Sequence, residues 1–273
     1  MNLEDHVGDI IRKARAMAGK SAATTADAAG ITQNELALLE SSGIIPKDFH
    51  IVNLAIMLGL SPQKLAGVAG GWQPSAVDLR RWGGLRIFTT HDTSLSVNCF
   101  LVWDPVSTEA ALFDTGLDGR PVLDHLASAG LELRHVFITH SHWDHIEALP
   151  QIRAAFPLAQ IHSGSAQAPA SQRNQPGQII SLGSLRITYR ATPGHAADGV
   201  TYLVDNWPNS TPMVAMVGDT IFAGSIGRGN DSWDLARQKV REEILSLPTE
   251  TLICPGHGPL TTVREEIACN PFF

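Results

Sequence analysis

Residues 139–145 read Thr-His-Ser-His-Trp-Asp-His, so His140, His142, Asp144 and His145 fall within six positions. A packed core has little reason to carry that density of imidazole and carboxylate. Neutral imidazole and carboxylate are the usual nitrogen and oxygen ligands of zinc. In an extended segment or a tight loop, alternate side chains turn to opposite sides, so this spacing can serve two neighbouring ions. Two ions point to hydrolysis.

The remaining ligands must come from distant parts of the chain, and three residues stand in matching settings. His195 lies in Ala-Thr-Pro-Gly-His after the strand-like run at 185–189, Asp219 follows the apolar run at 213–217, and His257 sits in Pro-Gly-His-Gly-Pro after Leu252-Ile253-Cys254. Each is a strand, then a turn, then a ligand. Glycine beside a ligand lets the backbone approach an ion or substrate where a Cβ would collide, which suits Gly194, Gly218, Gly256 and Gly258.

The order and spacing of these segments over residues 80–273 resemble the metallo-β-lactamase-fold hydrolases, in the branch of glyoxalase II-like proteins. The resemblance extends to Phe113-Asp114-Thr115-Gly116, to the run from Gly218 to Arg228, and to Gly258-Pro259-Leu260-Thr261-Thr262 with Asn270-Pro271-Phe272. It implies an α/β chain, an αββα sandwich of two sheets inside flanking helices. It assigns His140, His142 and His195 to one metal, and Asp144, His145 and His257 to the other, with Asp219 bridging. The cofactors would be two divalent ions, zinc foremost, with iron or manganese as alternatives. A metal-bridging hydroxide would be the nucleophile, with Asp144 and Asp219 as the catalytic carboxylates. Asp114 is expected to accept a hydrogen bond from a ligating imidazole and fix its tautomer.

Departures from the relatives narrow the substrate. The sequence runs about 16 residues past His257, which leaves no room for the helical domain with which glyoxalase II holds glutathione; the expectation is a small ester, thioester, lactone or phosphodiester. Persulfide dioxygenases of this fold keep one iron on positions matching His140, His195 and Asp219, but diverge around the last histidine. Positions 146–148 read Ile-Glu-Ala where relatives often carry glycines, which places Glu147 at the cleft and Trp143 at its rim.

Before residue 70 the pattern is helical: Val7, Ile10, Ile11 and Ala14, then Leu36, Leu38 and Leu39, then Ile51, Leu54, Ala55 and Leu58 recur at helix spacing. Residues 71–79, rich in glycine and proline, read as a linker, so residues 1–70 form one unit and 80–273 another. The first unit resembles the Cro/C1-type helix-turn-helix domain in Ala28 to Leu36 and Leu54 to Ser61. Gly30 would make the turn and Thr32 would cap the next helix with Glu35. Thr32, Gln33 and Asn34 would then face the bases of DNA, with Arg12, Lys13 and Arg15 near phosphate. Charge opposes this, because residues 1–70 hold six basic and seven acidic side chains, and specific DNA binders carry a basic footprint.

Beyond the junction, apolar runs at 86–88, 98–102, 110–113, 136–138, 187–189 and 201–204 read as strands, and 121–129, 147–155 and 234–245 as helices. Residues 71–273 hold 14 basic against 20 acidic side chains, a sum of −6, which disfavours an RNA-processing nuclease. No apolar stretch approaches the roughly 20 residues of a membrane helix, and the N-terminus lacks a secretion signal, so the expected location is the cytoplasm. Three cysteines without Cys-x-x-Cys spacing argue against disulfides and a thiolate zinc site. The partners expected are a small-molecule substrate, DNA through the first unit, no membrane, and a second copy in a homodimer. Three functions follow: a metallo-hydrolase with an accessory domain, a DNA-binding regulator whose metallo-domain senses or degrades an effector, and a mononuclear iron persulfide dioxygenase.

Overall fold

A computed structural model describes residues 2–93 and 95–273. Five helices come first: α1 Val7–Met17, α2 Ala22–Ala29, α3 Gln33–Ser42, α4 Ile51–Met57 and α5 Pro62–Ala69. Strands β1 Leu85–His91, β2 Ser96–Trp103 and β3 Glu109–Phe113 follow, then α6 Arg120–Ala129, β4 Glu132–Ile138, α7 Trp143–Ile146, α8 Leu149–Ala155 and β5 Gln160–Ser163. The second half holds β6 Ile180–Leu182, β7 Leu185–Ala191, β8 Val200–Asp205, β9 Val214–Gly218, β10 Ile221–Phe222, β11 Ser225–Ile226, α9 Trp233–Lys239, β12 Leu252–Pro255, β13 Thr261–Thr262 and α10 Val263–Cys269.

The strands make a five-stranded sheet ordered β1-β2-β3-β4-β5 and a six-stranded sheet ordered β13-β12-β9-β8-β7-β6. Side-chain parity explains why they stack. Phe100, Val102, Ala111 and Phe113 of the first sheet meet Tyr202, Val204, Val214, Met216, Leu252 and Cys254 of the second in one cluster. The alternate residues face outward but are also covered. Leu101, Ala110 and Leu112 pack with Val122 and Leu126 of α6 and Ile152 of α8, and Leu203, Ala215, Val217 and Ile253 pack with Val240, Ile244 and Val263. Both faces of each central strand are thus apolar, so the sequence shows continuous runs rather than alternation. Cys99 and Cys254 are buried within these layers, and all three cysteines are free.

The N-terminal helices begin as their capping residues dictate. His6 caps α1 in a box with Asp9, Gly30 ends α2 in the left-handed conformation, and Thr32 caps α3 in a box with Glu35. Ile10, Ile11, Leu36, Leu39, Leu54 and Leu65 bury completely. Their cluster is continuous with the outer face of the six-stranded sheet through Ile221, Ile226 and Phe272. In the stretch read as a linker, Trp72 packs against this same cluster.

A buried ion pair ties the helices to the sheet side. Lys13 Nζ contacts Asp5 Oδ2 with both side chains under 10 % exposed, and also donates to Ile226 O at 2.8 Å. Ser225 Oγ donates to the same Asp5 oxygen at 2.5 Å. Burying two charges is tolerable only while each neutralises the other. Lys13→Met should therefore lower stability by about 3 kcal/mol in urea denaturation, because Asp5 would remain buried without its cation. Adding Asp5→Asn to that variant should recover part of the loss.

Candidate metal centre

Asp114 follows β3, His140 follows β4, Asp219 follows β9 and His257 follows β12. Within each sheet β3 pairs with β4 in parallel, and β9 with β12 in parallel, so the ends carrying these residues open on one edge. His195 lies in the turn between β7 and β8, and α7 carries Asp144 and His145. Backbone bonds stitch the edge together: Val200 N to Thr139 O at 2.8 Å, Gly256 N to Gly218 O at 2.9 Å and Asn98 N to Gly256 O at 2.7 Å.

All seven residues that the sequence nominates meet at this edge in three overlapping groups: His140, His142 and His195; His140, His145 and Asp219; Asp144, His145 and His257. In the first, His142 Nδ1 lies 2.9 Å from His140 Nε2 and 3.0 Å from His195 Nε2. In the third, His257 Nε2 lies 3.2 Å from Asp144 Oδ2. Asp219 stands between them. Its Oδ1 is 3.3 Å from His145 Nε2 and 3.5 Å from His257 Nε2, while its Oδ2 is 3.5 Å from His195 Nε2. One carboxylate thus presents an oxygen to each histidine set. Gly256 keeps the space open, since a Cβ there would lie 2.5 Å from both Asp219 Oδ1 and His145 Cε1.

The outward-facing ring nitrogens fix which nitrogen points inward. His145 Nδ1 donates to Asp114 Oδ2 at 2.8 Å, His195 Nδ1 to Arg228 O at 2.9 Å and His257 Nδ1 to Ser96 O at 2.5 Å. His140 Nδ1 meets Thr139 Oγ1 at 3.1 Å. Asp114 also accepts from Thr139 N and Oγ1, both at 2.8 Å, and these bonds hold it at φ 54°, where side chains are rarely found. Asn98 Nδ2 donates to Pro255 O at 3.1 Å and Gly258 O at 2.9 Å, bracing the turn that carries His257. Asp114 was legible in the sequence through the resemblance that Phe113-Asp114-Thr115-Gly116 carries. Ser96 and Arg228 act through backbone carbonyls, which no side-chain pattern reveals.

These residues fit a cation. His145 Nε2 and Asp219 Oδ1 are buried, yet neither has a hydrogen-bond partner among the described residues, an arrangement that costs free energy unless something positive lies between them. Burial drives His140 well below the ordinary imidazole value, and the neighbouring imidazoles add to this against Asp219. Burial also lowers His195, again opposed by Asp219. Burial opposes charge on His145 and His257 too, but Asp114 and Asp219 carry His145 up to about 10, while Asp219 and Asp144 carry His257 up to about 11. Burial would raise Asp219, but His257 and His145 hold its carboxyl well below the usual range.

The other residues singled out from sequence lie elsewhere. Thr32, Gln33 and Asn34 are exposed at the start of α3. Of the basic residues expected near phosphate, Lys13 is buried on Asp5, Arg15 pairs with Glu40 through two bonds of 2.6 Å and Arg12 with Asp9 at 2.6 Å. Lys13 is therefore unavailable to DNA, a correction that follows from its burial. Trp143 is 52 % exposed and Glu147 is exposed where α7 breaks before α8.

Residues 92–172 match the model of the Metallo-beta-lactamase superfamily. A hydroxyacylglutathione hydrolase from Methylobacterium nodulans is 32 % identical over 191 residues, covering 68 % of this chain and 71 % of that protein. Among solved structures, the BLEG-1 B3 metallo-beta-lactamase is 25 % identical with a TM-score of 0.59, covering 68 % of this chain and 99 % of its own. TTHA1623, solved in a di-iron-bound form, is 26 % identical with a TM-score of 0.51, covering 68 % of this chain and 100 % of its own. With its sandwich of two sheets and its histidine and aspartate groups gathered at one edge, the chain belongs to the metallo-beta-lactamase superfamily and is a hydrolase of that superfamily.

Proposed function

We propose that the chain is a binuclear metal-dependent hydrolase of small esters or thioesters, and that Asp219 is the residue that joins its two ions. The observation that carries this reading is the division of the Asp219 oxygens, one toward His145 and His257 and the other toward His195. His140, His142 and His195 would hold one ion and Asp144, His145 and His257 the other. When bound, such ions supply a water activated near neutral pH and a Lewis acid for the scissile carbonyl. Zinc suits the imidazole and carboxylate donors, and the di-iron form of TTHA1623 supports iron as the alternative.

The chain's own residues do the rest. The bonds from His145, His195 and His257 to Asp114, Arg228 O and Ser96 O hold three imidazoles in the tautomer that turns Nε2 inward. Asp144 Oδ2, 3.2 Å from His257 and 3.7 Å from His145, stands at the reacting face to orient the attack. The name of the Methylobacterium relative favours a thioester. Residues 1–70 form an accessory helical unit docked on the sheet side; its DNA-binding reading rests on Gln33 and Asn34, exposed at the start of α3, and absence of any DNA shift at low salt would dismiss it.

Three measurements test the centre. Asp219→Ala should lower thioester turnover by a factor on the order of 10³ or more, and metal analysis of the unaltered chain should find two ions; a single iron with oxygen uptake on persulfides would overturn the assignment. Asp114→Asn keeps a residue that tolerates positive φ but removes the carboxylate from His145, so metal affinity should fall about 10- to 100-fold in chelator competition.

A further measurement concerns protons. His145 and His257 stand above the roughly 6.5 of an unfolded imidazole, so their charge stabilises the metal-free fold fully below about pH 6.5. That contribution fades as the pH climbs toward about 10 and 11. A cation must displace the same protons, so binding should strengthen with pH across this window. Calorimetry near neutral pH, in buffers of different ionisation enthalpy, should report about two protons released per chain.

A further inference from the structure

The first residues of the chain lie against the metal edge. Gly258, next to His257, has φ 72°, and a Cβ placed on it would come 2.9 Å from Glu4 N and 3.2 Å from Glu4 Cβ. Glu4 is therefore pressed onto the turn that carries His257. Its neighbour Asp5 is anchored by Lys13 and Ser225, so the segment is fixed at the position beside Glu4. Lys13 also lies 5.2 Å over the Phe222 ring, and that ring meets His257 edge-on at 5.9 Å. Unlike Asp5, Glu4 is exposed to solvent.

We propose that Glu4 is a specificity-determining residue. Its carboxylate favours substrates that are uncharged or cationic on the side of the scissile bond facing His257 and turns away anionic ones, a selection that rests on the hydrolytic reading of the same site. Partial burial, with Asp5 and Asp219 adding and His257 and Lys13 opposing, raises the Glu4 carboxyl above its ordinary value, which places this group within the field of the metal ligands. Next to it, a recess of about 560 Å³ has an uncharged lining in which Val77, Leu79, Ile87 and Leu260 stand with Asn2 and Gln73. That recess begins two residues past His257 and offers an uncharged, apolar substituent a place to lie. A carboxylate beside the turn that carries His257 discriminates by repulsion, the way specificity is set against a competitor of the wrong charge.

The test compares two thioesters with the same acyl group, one on neutral N-acetylcysteamine and one on anionic glutathione, using the metal-loaded full chain. The unaltered protein should prefer the neutral thioester, and Glu4→Lys should shift the kcat/KM ratio toward the anionic one on the order of tenfold, with Glu4→Gln moving it less in the same direction. A ratio unchanged by both substitutions overturns the proposal. A matched pair of hydroxamates, one neutral and one bearing a carboxylate, reads the same selection through Kd without turnover. Charge selection in Kd that Glu4→Lys abolishes, with neither thioester cleaved, would uphold Glu4 and sink the hydrolase reading alone. Equal Kd ratios in all three proteins overturn the role of Glu4 whatever the turnover.

Discussion

Asp219 is held between two groups of imidazoles, and the surrounding structure is arranged to keep it there. Its carboxylate is buried at the end of β9 with one oxygen lacking any hydrogen bond among the described residues. Around it, His140, His142 and His195 turn ring nitrogens toward one another at about 3 Å, a separation at which one N–H can join a pair of neutral imidazoles but two charged ones repel. Such a cluster is stable as protein alone only by keeping protons on His145 and His257, which is what the flanking carboxylates achieve. Folding therefore assembles a negative, proton-compensated pocket that a cation can enter by displacing those protons.

The two-sheet architecture makes this affordable in conformational terms. Parallel strand ends deliver His140, Asp219 and His257, and the Asp114 that orients His145, from rigid, doubly covered strands, so these four are positioned by the core rather than by mobile loops. The backbone bonds from Val200 to Thr139 and from Asn98 to Gly256 cross between the sheets where the ligands emerge. Loss of packing in the central cluster would thus reach the site directly.

Much of this was legible in the sequence because the information is local. Four candidate ligands within six positions, and three more placed after apolar runs and beside glycines, can be read without knowing the fold. The strands at 98–102, 110–113 and 201–204 were readable as apolar runs and fall in β2, β3 and β8. Short strands such as β5 and β6 carry too few residues for a pattern, and the break between α7 and α8 is marked by Pro150 in the first turn of α8. What escaped was long-range and electrostatic. Asp5 and Lys13 lie more than 200 positions from their partners Ser225 and Ile226, and charged residues near an N-terminus read as solvated surface or, for Lys13, as a phosphate contact. Only the packing of α1 onto the β10–β11 hairpin turns that lysine inward.

That inward turn changes what the helical unit can do. Phosphate binding draws its affinity from cations free to replace condensed counterions. Here Arg12, Lys13 and Arg15 are held on Asp9, Asp5 and Glu40, and Lys64 donates to Ile267 O and Phe273 O. Four of the six basic residues before position 70 are thus engaged within the chain, two of them against the sheet domain. Contact with DNA by α3 would rest on short-range bonding from Gln33 and Asn34 with little electrostatic attraction to bring them there. The same bonds give the unit another consequence. The hairpin that Lys13 and Asp5 grip runs between Asp219 and Arg228, whose carbonyl orients His195, so any displacement of the helices moves both ends of the segment on which the metal edge depends.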